Sequence, residues 1–337
     1  MAAGGDSTVL KVRGLRVEIA SAAGVIHPVD DISLDLRAGE TLGLVGESGS
    51  GKSMTGLALL RLLPRPAARI VAGRIELDGN DLVPLSEGAM RRIRGRRIAM
   101  ILQDPQASLN PAFTIGNQLF EALRAGDRSP RQGLRARAAG LLRLLGLPAP
   151  EERLQAYPHQ LSGGMRQRVV GAIALASDPQ VIVADEPTTA LDLTIQAQYL
   201  ALLEDIQKRT GVAILFITHD FGVVARLCHR VAVMYAGRIV EQGDVRDIFD
   251  RPSHPYTAAL IRSVPSLTAR AARLPAIAGQ PPPLSALPAG CSFAPRCAHA
   301  QPRCLAQAPP ELPGRGGAEN RHVARCWRLE DPSWTPD

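Results

Sequence analysis

The chain has 337 residues, 45% of them hydrophobic but only 4% aromatic, and a net charge of +7. This allows two domains, one large and one small, with a sizeable core built mainly from Ala, Val, Ile and Leu. No apolar run reaches the roughly 18 residues of a membrane span, and Met1 to Arg13 lacks the apolar stretch of a secretory signal, so neither a spanning nor a secreted chain is expected. Residues 9–19 and 31–37 alternate in polarity as strands do. Thr41 to Val45 is a short apolar strand that runs straight into a glycine-rich stretch, and Lys52 to Leu63 is predicted helical, ended by Pro64 and Pro66. Arg74 to Leu77 leads to a turn at Asp78-Gly79, and Ile98 to Leu102 is a strand ending at Gln103-Asp104-Pro105. From about 113 to 177 the pattern is helical, with one helix over Leu134 to Leu147 and another from near Ser162. Apolar strands at 181–184 and 214–217 flank a helix over Thr194 to Arg209, and Val231 to Tyr235 and Arg238 to Glu241 form a hairpin around Ala236-Gly237. Beyond about 250 proline becomes frequent (Pro252, Pro255, Pro265, Pro275, Pro281 to Pro283) and strand periodicity fades, as in a linker followed by a small module.

Strands that are apolar on both faces and alternate with helices imply a parallel sheet covered on both sides, and the all-helical stretch reads as an inserted subdomain. Gly46-Glu47-Ser48-Gly49-Ser50-Gly51-Lys52-Ser53 matches G-x-x-x-x-G-K-[S/T] between a strand and a helix. Such glycines let backbone N–H groups turn inward around phosphate oxygens, and the following helix points its positive end at the same anion. Lys52 would reach the β- and γ-phosphates and the Ser53 hydroxyl would sit on magnesium. Val181 to Ala184 delivers Asp185 to the magnesium shell and Glu186 as general base on the attacking water, with the cradle lysine 133 residues upstream.

Leu161-Ser162-Gly163-Gly164-Met165-Arg166-Gln167-Arg168 resembles the signature of ABC-type ATPases. The resemblance covers roughly residues 9–250 and implies an α/β P-loop NTPase (RecA-like) core, with a helical subdomain at about 105–177. It implies that Ser162, Gly163 and Gly164 bind the γ-phosphate of ATP held by an opposite subunit, so neither subunit alone completes a site. By position, Gln103 matches the glutamine that touches magnesium and water and links to the transmembrane partner. Ala190-Leu191-Asp192 matches the loop that crosses the dimer seam, and His219 the histidine that contacts the γ-phosphate. The family's adenine-stacking aromatic is missing: Ala23, Gly24, Val25, Ile26 and His27 stand there, with His27 as the stacking alternative to apolar contact from Val25 or Ile26.

Residues 251–337 read as an extension. Gln103 to Pro111, His254-Pro255-Tyr256-Thr257 and Cys291-x-Phe293-x-Pro295-Arg296-Cys297 resemble the oligopeptide/dipeptide importers, related to the nickel importers. Four of five cysteines, Cys291, Cys297, Cys304 and Cys326, are spaced C-x5-C-x6-C-x21-C, which in a reducing cytosol favours a bound ion over disulfides. Four thiolates can hold a [4Fe–4S] cluster, as relatives with this tail imply; zinc, with His299 or His322, and inert buried thiols are the alternatives. Cys228 is read as core packing. The tail arginines Arg296, Arg303, Arg315, Arg321, Arg325 and Arg328 are not interleaved with aromatics and read as a solvated face, so no nucleic-acid partner is expected.

The expected protein is therefore the ATP-hydrolysing subunit of an ABC peptide importer, using ATP and Mg2+. It would work peripherally at the cytoplasmic face of the inner membrane. Its expected partners are a second, related ATPase subunit, two transmembrane permeases and, indirectly, an extracytoplasmic peptide-binding protein. The rivals are a nickel or other small-solute importer, a soluble ABC ATPase acting on nucleic acid or ribosomes, and a redox- or iron-sensing regulator.

Overall fold

The structure is a computed structural model and describes residues 7–21, 24–126, 133–189, 191–264, 277–315, 321–331 and 333–336. Ala23, Ala190, Pro265, Pro275 and the first six residues, all part of the readings above, lie outside the described residues. The chain begins β1 (Thr8–Ser21), β2 (Gly24–Arg37), β3 (Thr41–Val45), α1 (Lys52–Leu59), β4 (Ala68–Leu77), β5 (Asn80–Asp81), α2 (Glu87–Arg91) and β6 (Ile98–Ile101). The helical stretch holds α3 (Pro105–Ser108), α4 (Ile115–Gly126), α5 (Leu134–Leu144), α6 (Pro150–Arg153) and α7 (Gly163–Leu175). Then come β7 (Val181–Asp185), α8 (Leu193–Thr210), β8 (Ala213–Thr218), α9 (Phe221–Leu227), β9 (Arg230–Tyr235), β10 (Arg238–Asp244), α10 (Val245–Asp250), α11 (Pro255–Arg262), α12 (Pro302–Ala306), β11 (Leu312–Pro313) and β12 (Val323–Ala324).

These elements form two compact units. One comprises Met1–Leu10, Leu36–Glu40 and Leu77–Phe216. Its β6 and β7 pair in parallel, from Ile98↔Val181 to Ile101↔Ala184, and β8 lies on the other side of β7. β7 is buried along its whole length, which is why it reads as a continuous apolar run. The helices bury Leu119, Leu123, Leu134, Ala138, Leu142, Val169 and Ala172. α5 stops at Leu144 rather than at Leu147. Gly146 takes a left-handed φ of +66°, so the Leu147 N–H reaches the Leu142 carbonyl at 2.9 Å and the Gly146 N–H the Arg143 carbonyl at 2.9 Å, a Schellman end.

The other unit comprises Lys11–Asp35, Thr41–Glu76 and Ile217–Asp337. Here β3 pairs in parallel with β9, β9 returns through Ala236-Gly237 into antiparallel β10, and β10 carries β12 and then β11. Strand structure continues past 250 although strand periodicity fades there, since β11 and β12 are two residues each and too short to carry it. α1 ends at Leu59, short of Leu63, where the Arg61 and Leu62 N–H groups turn back to Ala58 and Leu57. Pro64 bars the residue before it from helix.

The core of this unit is not purely aliphatic. The rings of Tyr235, Tyr256 and Phe293 lie with centroids 4.6 to 5.3 Å apart among Val45, Val224, Val231 and Val233. Three of the chain's twelve Phe, Tyr and Trp residues thus gather in one place, and they tie residues after 250 to β9. A second tie is polar. The Glu241 carboxylate accepts from the N–H groups of Ser253 at 2.6 Å and His254 at 2.9 Å and meets His322 Nε2 at 2.7 Å, with all four residues buried. A carboxylate withdrawn from water needs such a full set of partners. Among the described residues no helix is long and apolar enough to cross a membrane.

Candidate active site

The glycine loop opens where buried β3 ends. A Cβ on Gly46 would overlap the Met234 carbonyl oxygen, and one on Gly51, at φ +105°, would overlap the Pro28 carbonyl and sit 2.6 Å from Met234 Cε. Both glycines are required by close backbone approach. Lys52, the first residue of α1, is buried, and its Nζ donates to the carbonyls of Gly46 at 2.8 Å and Glu47 at 2.9 Å, with Ser50 Oγ at 3.4 Å. Ser48 and Gly49 are exposed at the rim and Ser53 is half-buried one residue into α1. A bare loop curled around an inward ammonium at a helix N-terminus has the chemistry of a polyphosphate cradle. Glu47 is anchored from outside: its N–H donates to Tyr256 Oη at 2.9 Å and its carboxylate pairs with Arg296.

Gly24, Val25, Ile26 and His27 open β2, with Val25 exposed. His219 directly follows β8 and is exposed, beside Asp220, which caps α9 by accepting from the N–H groups of Gly222 and Val223.

In the other unit, the parallel register of β6 and β7 brings Gln103 and the pair Asp185-Glu186 to the same C-terminal end, where α/β sheets place their chemistry. Gln103 Nε2 donates to Glu186 Oε2 at 3.0 Å, and Thr189 Oγ1 donates to the same oxygen at 3.0 Å. Two donors aim one carboxylate. Asp185 is buried, and Glu186 holds a φ of +45°, a left-handed geometry that costs a non-glycine residue energy and clusters at functional sites. Thr189 was not singled out from sequence; its signal is a hydroxyl three residues after the acid.

Ser162 caps α7, its Oγ accepting from the Met165 N–H at 3.4 Å, and Asp192 caps α8, accepting from Thr194 at 3.0 Å and Ile195 at 2.9 Å. Ser162, Gly163, Gly164 and Asp192 line one cavity of about 540 Å³ together with Leu191 and Arg168. A Cβ on Gly164 would sit 2.8 Å from Ile195 Cγ2, so this glycine permits the close approach of the two helix starts. Two helix N-termini bordering one cavity favour an anion there.

Cys291, Cys297, Cys304 and Cys326 all line one small cavity of about 20 Å³, together with His299. Burial pushes the thiols of Cys291, Cys297 and Cys326 up, Cys326 to about 12, and neighbouring cysteines add to the effect. Among the described residues, however, no group of three or more His, Cys, Asp or Glu has the spacing of a metal's ligands. The cysteines converge as the sequence suggested, yet the placed side chains do not form a ready [4Fe–4S] or zinc centre. His322 is not available to such a centre, because it is committed to Glu241. Cys228 stands at the C-terminal end of α9, half-buried, its sulfur 3.0 Å from where a Cβ on Gly43 would be, which is core packing as read. Arg296 corrects the reading of the tail arginines as solvated: its side chain is only 4% exposed.

The ABC transporter family model matches residues 29–189, and the model of the oligopeptide/dipeptide transporter C-terminal region matches residues 240–304. The probable peptide ABC transporter ATP-binding protein y4tR of Sinorhizobium fredii is 48% identical over 324 residues, 96% of each chain. The oligopeptide transport ATP-binding protein OppD of Bacillus subtilis is 49% identical over 80% of this chain and 76% of its own. The dipeptide transport ATP-binding protein DppD of the same organism is 49% identical over 80% and 81%. Among solved structures, the ATP-binding cassette MJ0796, a dimer in a post-hydrolysis state with ADP and Pi, superposes with a TM-score of 0.63 at 27% identity over 70% of this chain and 99% of its own. The chain belongs to the ABC transporter family of ATP-binding proteins, in the branch that carries the oligopeptide/dipeptide transporter C-terminal region.

Proposed function

We propose that this chain is the ATP-hydrolysing subunit that energises import of di- and oligopeptides across the cytoplasmic membrane. The observation that carries the reading is the joint occurrence, in one chain, of a closed glycine cradle around Lys52 and the C-terminal region shared with peptide transporters. Gly46, Glu47, Ser48, Gly49, Ser50 and Gly51 wrap the phosphates, with backbone N–H groups as the donors except that of Glu47, which is committed to Tyr256 Oη, and Lys52 meets the β- and γ-oxygens. Ser53, Gln103 and Asp185 are the proposed holders of magnesium, which when bound offsets phosphate charge. Glu186 accepts the proton as the water oxygen bonds to the γ-phosphorus and the bond to the leaving ADP oxygen breaks. Lys52 and His219 offset charge that develops on the γ-phosphoryl oxygens. Ser162, Gly163, Gly164 and Asp192 act on the triphosphate of a partner cassette, so that two nucleotides close one dimer, and the better binding of ATP to the closed dimer drives the transporter's conformational shift.

On this reading residues 9–250 form the nucleotide-binding domain, with a helical subdomain at about 105–177, and 251–337 an extension. The partners are a second, related ATPase subunit and two permeases at the cytoplasmic face, served by an extracytoplasmic peptide-binding protein, with no nucleic acid. The extension's four cysteines are read as sulfur donors for [4Fe–4S], with zinc as the alternative. Their convergence on one cavity supports this, and a brown anaerobic preparation containing iron and no zinc would bear it out. The function itself is tested by purifying the tagged chain from its native membrane. Multi-span permeases should accompany it, and peptide with its binding protein should stimulate ATP hydrolysis. Isolation with ribosomes or nucleic acid instead would contradict the reading.

A further inference from the structure

The glycine loop is held from outside by residues far along the chain. Both terminal nitrogens of the Arg296 guanidinium meet the two Glu47 carboxylate oxygens, at 2.7 and 3.1 Å. A bidentate pair of this kind fixes angle as well as position. The arginine is itself immobilised: Nε donates to the Ala278 carbonyl at 3.0 Å, Nη1 reaches Tyr235 Oη at 3.3 Å, and the group lies 5.8 Å from the Tyr235 and 5.9 Å from the Phe293 ring centroid. It is aimed by a single turn, Ala294–Arg296, closed by its own N–H on the Phe293 carbonyl at 2.9 Å. Glu47 is therefore gripped at three groups: the carboxylate by Arg296, the N–H by Tyr256, and the carbonyl by Lys52.

An acid in the second position of a polyphosphate cradle poses an electrostatic problem. An unmet carboxylate there repels the incoming anion, and no other acid occurs between Gly46 and Ser53. We propose that Arg296 is a positioning residue of the nucleotide site, neutralising Glu47 and holding the loop in the shape that accepts a nucleoside triphosphate, so that the C-terminal region is a working part of ATP binding. The inference rests on reading residues 46–53 as the ATP cradle. Arg296 acts through Glu47, not on the nucleotide.

The test is a double-mutant cycle on the full chain, read as Kd for a fluorescent ATP analogue with Mg2+. Arg296→Met should weaken binding about tenfold, because it strips the counter-charge from a half-buried carboxylate beside the triphosphate. The loss should shrink at high salt. Glu47→Gln, which loses the clamp and the charge together, should weaken binding less. The double variant should bind no more weakly than Glu47→Gln alone, because the offending carboxylate is gone. A purely structural role for Arg296 gives a different pattern, with the double variant at least as weak as Arg296→Met. That pattern, or wild-type affinity in Arg296→Met, overturns the proposal. Failure of the wild-type chain to bind the analogue would instead sink the reading of the loop, and this inference with it.

Discussion

Replacing Gly51 by alanine tests the cradle at its tightest point. At φ +105° an alanine carries a left-handed strain of about 1–2 kcal/mol. Its Cβ would also overlap the Pro28 carbonyl and press on Met234 Cε at 2.6 Å, overpacking that costs about 1–3 kcal/mol. The closed loop is therefore penalised by roughly 2–5 kcal/mol, which at about 1.4 kcal/mol per tenfold weakens ATP binding from about 30-fold to roughly 4,000-fold. Gly49 is the internal control: its φ is +78° but nothing lies within 4 Å of an added Cβ. Gly49→Ala should therefore show only the backbone strain, about 5- to 30-fold. The assay is titration of a fluorescent ATP analogue, with thermal melts to show that both variants are folded. Equal affinities for the two variants would refute the argument that close approach, and not φ alone, demands glycine at position 51.

Two further outcomes follow from the geometry. Glu186→Gln should retain ATP binding and lower turnover by about 10²–10⁴-fold, the usual worth of a general base; turnover like that of the wild type would remove Glu186 from the role. Burial pushes the His254 imidazole down from 6.5 to about 3, while its Nδ1 accepts the Tyr256 N–H at 3.1 Å. The folded state refuses a proton that the unfolded chain takes up, so the stability this site supplies is complete above pH 6.5 and drains away as pH falls toward about 3. The slope is at most about 1.4 kcal/mol per pH unit. His254→Asn, which can cap α11 in the same way, should flatten that part of a plot of denaturation midpoint against pH, and an unchanged slope would contradict the assignment.

Local signals were the ones legible in the sequence. The strand into Gly46, the cap at Ser162, the hairpin at Ala236-Gly237 and the acids after Val181-Ile182-Val183-Ala184 each depend on a few neighbouring residues. The misses are long-range. Tyr256 and Arg296 reach Glu47 across 209 and 249 residues, and no periodicity encodes such contacts. His322 looked like a metal ligand because histidine beside cysteines suggests one, but a buried carboxylate on β10 claimed it. Low aromatic content suggested an aliphatic core; composition cannot reveal that Tyr235, Tyr256 and Phe293 gather in one place.

The central claim, that two cassettes share each nucleotide, is tested most directly by trapping the Glu186→Gln protein with ATP and Mg2+ alongside its permeases and determining the structure of the assembly. The account predicts every triphosphate lodged between residues 46–53 of one cassette and the turn that corresponds to Ser162-Gly163-Gly164 in the other. Triphosphates bound with that turn far from any of them would contradict it.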